Sequence, residues 1–342
     1  MTTKRVLPRP LFFVKVIHRY MQYAILYQKV FAKIKEAKKI LLVTHERPDG
    51  DALGSTCAMI ELLENLKKSY SAYCADLPAA SFNYLPRVEK ITADKNAFGF
   101  ADFDLIIALD CGDLKRTKLA DEIAGRNANQ FVINIDHHPK IDDFADLEIK
   151  NSETASTSEL VYDFFRANKI KINKTEANCL LTGISADTGN FIFPATSDKT
   201  VKISSEMLTA GANLPRIIEN TWRNKSLAGL KIWGKAMANL QINKKYNFAF
   251  TVLTSADIAS AGVNEDELEG IANFLSNLHE VKAVLLLTEK TDETIKGSLR
   301  SATGDTNVAA LARALGGGGH AKAAGFIVEG KLIKSENGWK IV

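Results

Sequence analysis

The sequence predicts an α/β protein of two domains: a doubly wound, mainly parallel sheet followed by a smaller α/β domain. Three observations carry this. The chain has 342 residues, more than a single hydrophobic core usually serves. Apolar runs of strand length alternate with segments of helical periodicity, as in parallel strands joined by crossover helices. The alternation then restarts near Asn247, after a long helical stretch. A composition of 46% hydrophobic and 25% charged residues is that of a globular protein and excludes a disordered chain. No apolar run reaches the roughly 20 residues of a membrane-spanning helix.

Element by element, KKILLVTHE is a continuous apolar run, as expected of a strand buried on both faces. GDALGSTCAMIELLENLKK has helical spacing and ends in two lysines, favourable at a helix C-terminus. SYSAYCA, FDLIIALDCG and FVINIDHH read as three further strands. From Ser156 to about Trp233 the pattern is helical, broken near NFIFPATSD, with Ser156 and Glu159 placed for a capping box. In the second cycle NFAFTVLT, VKAVLLLTEK, TIKGSLRS and GFIVEG read as strands, and EDELEGIANFLSNLH and NVAALARALG as helices. The expected divisions are a basic extension over 1–24, a first domain over 25–214, a helical connector over 215–237 and a second domain over 238–342. There is no internal repeat or low-complexity tract.

The net charge of +4 is unevenly placed. Residues 1–40 hold ten Lys and Arg against one acid, Glu36, while the other 302 residues hold 34 basic against 39 acidic groups. Bulk attraction to a polyanion therefore belongs to the N-terminal stretch alone. That stretch, interrupted by Lys15, His18 and Arg19 and followed by no small-residue cleavage site, does not fit a secretory signal. It fits an added first helix, a membrane-surface helix or a partner-binding arm. Cys57, Cys74, Cys111 and Cys179 stand singly in apolar segments, as reduced core thiols of a cytoplasmic protein do.

Ligands of an open parallel sheet gather outside the carboxyl ends of its strands. The first strand ends in THERPDGDALGS, with His45, Asp49 and Asp51; another ends in LDCGD, with Asp110; another in IDHHP, with Asp136, His137 and His138. ISADTGNF, at the end of a helix, adds Asp187. Singly these are unremarkable, since a D-x-D turn serves as a helix cap and a terminal Asp as a turn former. Together they crowd carboxylates at one edge, where each opposes ionisation of the next unless a cation is present. Oxygen and imidazole without thiolate disfavours structural zinc and suits Mg²⁺ or Mn²⁺, the imidazoles favouring Mn²⁺ or another transition metal such as Co²⁺. So many donors suit two ions sharing a carboxylate. Further on, Gly316 to Gly319 precede His320. This run reads either as a helix cap entering a flexible turn or as backbone amides that close around an anion. Arg300, at a strand end, reads either as a phosphate clamp or as a solvated arginine.

The motifs H-x-x-P-D-G-D-A-x-G-S, L-D-C-G-D, D-H-H-P, A-D-T-G-N-F and G-G-G-G-H-A-K-A-A-G-F together resemble the DHH phosphoesterase superfamily. Their order is most similar to its group of bifunctional oligoribonucleases and PAP phosphatases, a DHH domain followed by a DHH-associated domain. The resemblance covers nearly everything after Lys29. Arg47 stands where the first motif usually has Asn, at a position that is not a ligand. The resemblance implies one metal on His45, Asp49 and Asp110, and a second on Asp51, Asp110, His137 and Asp187. It implies further that Asp136 orients an imidazole and that His138 faces the substrate phosphate or leaving oxygen. Arg300, His320 and the glycine turn, Gly317 to Gly319, would bind substrate from the second domain across a cleft. The implied activity is two-metal, Mn²⁺-type hydrolysis of short RNA oligonucleotides and of 3′-phosphoadenosine 5′-phosphate, and a homodimer is compatible with it. Alternatives that keep the metals are a cyclic or linear dinucleotide phosphodiesterase or an inorganic pyrophosphatase. A non-catalytic RNA-binding module would be marked by lost ligands, and all the ligand positions are filled.

Overall fold

The computed structural model describes residues 9–223, 225–303, 306–335 and 338–342. The chain divides into two units, one ending at Thr221 and the other beginning at Trp222. The first runs α1 (Arg9–Glu36), β1 (Lys39–Val43), α2 (Gly50–Asn65), β2 (Ser69–Tyr73), β3 (Ile91–Thr92), β4 (Leu105–Leu109), α3 (Ala120–Ala124), β5 (Phe131–Asp136), β6 (Leu147–Lys150), α4 (Thr157–Ala167), α5 (Lys174–Thr188), α6 (Asp198–Thr209) and α7 (Leu214–Thr221). Its sheet has the order β3-β2-β1-β4-β5-β6, and every neighbouring pair is parallel. Alternate residues of β1 explain its uninterrupted apolar run. Ile40 and Leu42 pack with α1, α2, α4 and α5 on one face, while Leu41 and Val43 pack with Leu119 and Ile123 on the other. The two edge strands, β3 and β6, have two and four residues, too short to carry a periodic signal.

Helix α1 crosses the boundary expected at residue 24. Tyr27, Val30 and Ile34 are buried, and the Tyr23 hydroxyl donates to the Lys150 carbonyl at 2.7 Å. This part of the helix belongs to the core of the first unit; residues 1–8 of the basic stretch lie outside the described residues. The capping box expected at α4 is one-sided. Ser156 accepts from the Glu159 amide, but the Glu159 carboxylate turns instead to the Thr200 hydroxyl at 2.6 Å, joining α4 to α6.

The second unit continues with α8 (Leu227–Ala238), β7 (Gln241–Asn243), β8 (Phe248–Leu253), α9 (Ser255–Ala261), α10 (Ile271–Leu275), β9 (Ala283–Glu289), β10 (Thr294–Ser301), α11 (Val308–Ala314), β11 (Gly318–Gly319), β12 (Ala323–Glu329), β13 (Leu332–Ser335) and β14 (Gly338–Ile341). Its sheet has the order β11-β12-β10-β9-β8-β7, with β8 and β9 parallel and the other pairs antiparallel. Residues of α8 and α10 form the core on one face, and those of α11 the core on the other. The helix expected over EDELEGIANFLSNLH is interrupted. Gly270, at φ 90°, separates a short 3₁₀ turn from α10, because a left-handed residue cannot continue a right-handed helix. The glycine run is ordered rather than a flexible turn. Gly316 and Gly317 donate to the Arg313 and Ala312 carbonyls, and Gly318 and Gly319 pair with β12. A Cβ at Gly317 would lie 2.1 Å from the Gly325 carbonyl oxygen, so close backbone approach demands glycine there.

Candidate active site

The strand order reverses between β1, which leads outward to β2, and β4, which leads outward to β5. Such a switch point opens a crevice at the strands' carboxyl ends, and the first unit places its acids and imidazoles there. The turn after β1 carries His45 and then Asp49, the N-cap of α2, whose Oδ1 accepts from the Asp51 and Ala52 amides at 3.0 Å each. Arg47 in this turn is left-handed, at φ 50°, a conformation that Asn adopts more readily; its amide donates to Asp76 at 2.7 Å. Asp110, just beyond β4, is buried and also left-handed, at φ 59°, the kind of backbone strain kept where geometry matters.

His45 Nε2 lies 3.9 Å from Asp49 Oδ2 and 3.8 Å from Asp110 Oδ2. His137 Nε2 lies 3.1 Å from Asp187 Oδ2, 3.5 Å from Asp110 Oδ1 and 4.0 Å from Asp51 Oδ2. Two donor groups result, His45–Asp49–Asp110 and Asp51–His137–Asp187, each with its ligating atoms within 4.8 Å of one another. Asp110 turns one oxygen toward each group. His45 Nδ1 donates to the Glu46 carbonyl at 2.7 Å, which leaves Nε2 its lone pair for a cation. Arg116 Nη2 lies 2.9 Å from the same Nδ1; a guanidinium only donates, so it bonds there only in the other tautomer. His138 Nδ1 donates to Asp136 Oδ1 at 2.8 Å. Asp136 is itself held through Oδ2 by the Gly112 amide at 3.0 Å and the Lys150 ammonium at 3.2 Å.

The protonation preferences show what this cluster lacks. Burial, reinforced by the charge of Asp110, pushes Asp51 well above the ordinary carboxylate range. Burial, with Asp51 next, does the same to Asp187. Burial also opposes ionisation of Asp110, but hydrogen bonding and charge from His138, with His137 and His45 behind it, hold that carboxyl well below its usual value. Burial lowers His137, which favours the neutral imidazole that a metal requires. For His138, burial is outweighed by its bonds to Asp110 and Asp136, and its pKa is pushed up to about 10. Asp51 and Asp187, buried carboxylates that resist ionisation beside the buried His137, are short of positive charge, and a divalent cation supplies it. The residues fit such an ion.

Several supporting residues carry no motif. The amides of Thr157 and Ser158, at the start of α4, donate to the two oxygens of Asp51 at 2.6 and 2.9 Å, and the Thr157 hydroxyl donates to Asp110 Oδ1 at 2.8 Å. Their signal in the sequence was the N-cap Ser156, which placed a helix start without showing what it faces. Gly54 and Gly183 let α2 and α5 meet backbone to backbone. A Cβ on Gly54 would lie 2.5 Å from the Cys179 carbonyl oxygen, and one on Gly183 2.6 Å from Asp51 Oδ1. This contact sets Asp51 of α2 against Asp187 of α5.

In the second unit, Arg300 Nε donates to Asn273 Oδ1 and Nη1 to the Leu299 carbonyl. Burial lowers the Arg300 pKa to about 10, and among the described residues no carboxylate pairs with it. The His320 amide donates to the Ala323 carbonyl at 2.7 Å.

Residues 39–184 match the DHH family, N-terminal domain, and residues 245–337 match the DHHA1 domain. The chain belongs to the DHH phosphoesterase family. It is 28% identical over 299 residues, covering 87% of this chain and 92% of the relative, to a probable bifunctional oligoribonuclease and PAP phosphatase NrnA of Streptococcus mutans. It is 27% identical to the bifunctional oligoribonuclease and PAP phosphatase NrnA of Bacillus subtilis, covering 84% of this chain and 88% of that one. An exopolyphosphatase-related protein from Bacteroides fragilis superposes with a TM-score of 0.80 at 28% identity, over 88% of this chain and 90% of that structure. As a DHH-family phosphoesterase this enzyme is metal-dependent, and its described residues include no helix long and apolar enough to cross a membrane.

Proposed function

We propose that this DHH-family enzyme hydrolyses the phosphodiester bonds of short oligoribonucleotides and the 3′-phosphate of 3′-phosphoadenosine 5′-phosphate. The observation that carries the reading is Asp110, buried, left-handed and turned toward two separate donor groups beside His138. The relatives that bear this activity in their names support the substrate class.

His45, Asp49 and Asp110 would hold one divalent ion, and Asp51, Asp110, His137 and Asp187 a second, with Mn²⁺ best matched to this mix of carboxylate and imidazole. Bound there, the pair would lower the pKa of a water and neutralise charge on the phosphoryl oxygens. The protein's own part is orientation and proton delivery. The α4 amides fix both oxygens of Asp51, and Thr157 fixes Asp110, so the carboxylates need no rearrangement when the substrate arrives. His138 is the most exposed of the three imidazoles, with 22% of its side chain accessible against 9% for His137 and 3% for His45. With Nδ1 committed to Asp136, its Nε2 is the atom that would give a proton to the leaving oxygen. Arg300, lacking a carboxylate partner among the described residues, suits a bidentate phosphate contact, and His320 would add a second donor.

The test is a panel of a dinucleotide, a pentaribonucleotide, 3′-phosphoadenosine 5′-phosphate, a cyclic dinucleotide and pyrophosphate at equal concentration with Mn²⁺. Turnover of the first three, abolished by chelator and restored by Mn²⁺, is expected. Turnover of pyrophosphate alone, or full activity in excess chelator, would overturn the reading.

A further inference from the structure

A cavity of about 630 Å³ opens in the first unit beside His138, walled by Tyr23 and Leu26 of α1, by Pro139, and by Glu148 and Ser152 around β6. Its volume falls within the roughly 300–1,000 Å³ of small-molecule sites. The wall from α1 precedes residue 39, where the match to the DHH domain begins.

Two features specify the occupant. The Tyr23 ring is pinned by the bond from its hydroxyl to the Lys150 carbonyl and lies 6.2 Å from the Tyr27 ring; with Leu26 and Pro139 it offers a preorganised apolar surface. Glu148 receives Lys140 on Oε2 at 2.7 Å. The cavity's lysines are neutralised, Lys140 by Asp143 and Glu148 and Lys150 by Asp136, so nothing there asks for a phosphate. A flat aromatic and apolar face with balanced charge, opening beside His138, suits a nucleoside.

We propose that this cavity is a nucleoside subsite, which receives the nucleoside on the His138 side of the scissile phosphodiester. The assignment rests on the phosphodiesterase reading above. It gives α1 a role in substrate choice: a substrate with a nucleoside on that side gains contacts that a small phosphodiester lacks.

The experiment uses the full chain with Mn²⁺ and compares an adenylyl dinucleotide with bis(p-nitrophenyl) phosphate for Tyr23→Ala, Tyr23→Phe and Ser152→Trp. Ser152 is exposed, so the tryptophan can fill the cavity without entering the core. Loss of one aromatic stacking surface corresponds to about tenfold or more in affinity. Tyr23→Ala and Ser152→Trp should raise the dinucleotide KM about tenfold relative to any change with the chromogenic ester, and Tyr23→Phe, which keeps the ring, should restore most of it. Folded variants, by circular dichroism, with an unaltered dinucleotide KM would overturn the subsite. Failure of the wild-type protein to cleave any dinucleotide would overturn the phosphodiesterase reading instead. Equilibrium binding of adenosine, expected for the wild type and lost in Ser152→Trp, then reads the subsite without turnover; no adenosine binding to the wild type would overturn it.

Discussion

Substituting alanine for Gly183 should disable the enzyme without touching any ligand. The added Cβ would lie 2.0 Å from Ser158 Oγ, 2.6 Å from Asp51 Oδ1 and 2.9 Å from Ser158 Cβ. An ordinary contact needs 3.4 Å or more, so α5 must retreat from α2 and α4 by about 1.4 Å, since a packed interior has no slack to absorb a methyl group. That retreat carries Asp187 away from His137 and disturbs the amides that hold Asp51. Overpacking of this kind costs about 1–3 kcal/mol of stability, while misplacing catalytic groups by about 1 Å costs about a hundredfold in rate. Thermal unfolding and Mn²⁺-supported kcat/KM on a dinucleotide should therefore disagree: a modest fall in Tm and a large fall in activity. Adding Ser158→Gly, which removes the two Ser158 side-chain clashes, should recover most of the stability but only part of the activity, because the clash with Asp51 remains. Wild-type kcat/KM in the Gly183→Ala protein would refute the argument that this helix contact positions the carboxylates.

Other outcomes follow from single contacts. Thr157→Val keeps the shape but removes the hydroxyl that donates to Asp110; Mn²⁺ affinity by calorimetry should fall about 10- to 100-fold, the usual effect of losing a partner behind a metal ligand, and an unchanged affinity would mean that Asp110 is oriented by its backbone alone. Glu176 has its pKa raised to about 7, chiefly by burial. The folded state therefore holds the proton more tightly than the unfolded chain, so the stability linked to this group is full below the unfolded pKa near 4.5 and is lost as pH rises through about 7. Glu176→Gln, which can still accept from the Asn173 amide, should remove this loss and stabilise the protein by about 1–3 kcal/mol at pH 8 but little at pH 4.5, as denaturant melts at both pH values would show. Arg300→Ala should lower kcat/KM on nucleotide substrates about 10- to 100-fold, the worth of one charge-assisted phosphate contact, while Mn²⁺ affinity stays at the wild-type value; an unchanged kcat/KM would remove Arg300 from the substrate site.

Much of the candidate site was legible before any coordinates. A parallel strand must end at the same edge as its neighbours, so apolar runs ending in HERPDGD, LDCGD and IDHH can only deliver His45, Asp49, Asp51, Asp110, Asp136, His137 and His138 to one crevice. The chemistry of that crevice follows from residue type: buried oxygens and imidazoles without thiolates ask for a hard or borderline divalent ion. Cysteine spacing likewise implied core thiols, and all four cysteines are free and buried.

Tertiary structure decided what depends on residues far apart in the chain. No local pattern says that the Thr157 and Ser158 amides hold Asp51 from more than a hundred positions away, that Lys150 supports Asp136, or that Gly54 and Gly183 bring two helices into backbone contact. A glycine and a helix start look the same in sequence whether or not a carboxylate lies opposite. The expected capping box at Ser156 failed for the same reason, since Thr200 of another helix takes the Glu159 carboxylate that local spacing had offered to its own backbone. The basic N-terminal stretch was divided from the domain at residue 24 by its charge, but α1 runs through that boundary from Arg9 to Glu36, and Tyr23 on its near side bonds the Lys150 carbonyl. Local sequence specifies which groups are present and which strand or helix end carries them. Only the packing of distant elements decides which groups hold them there.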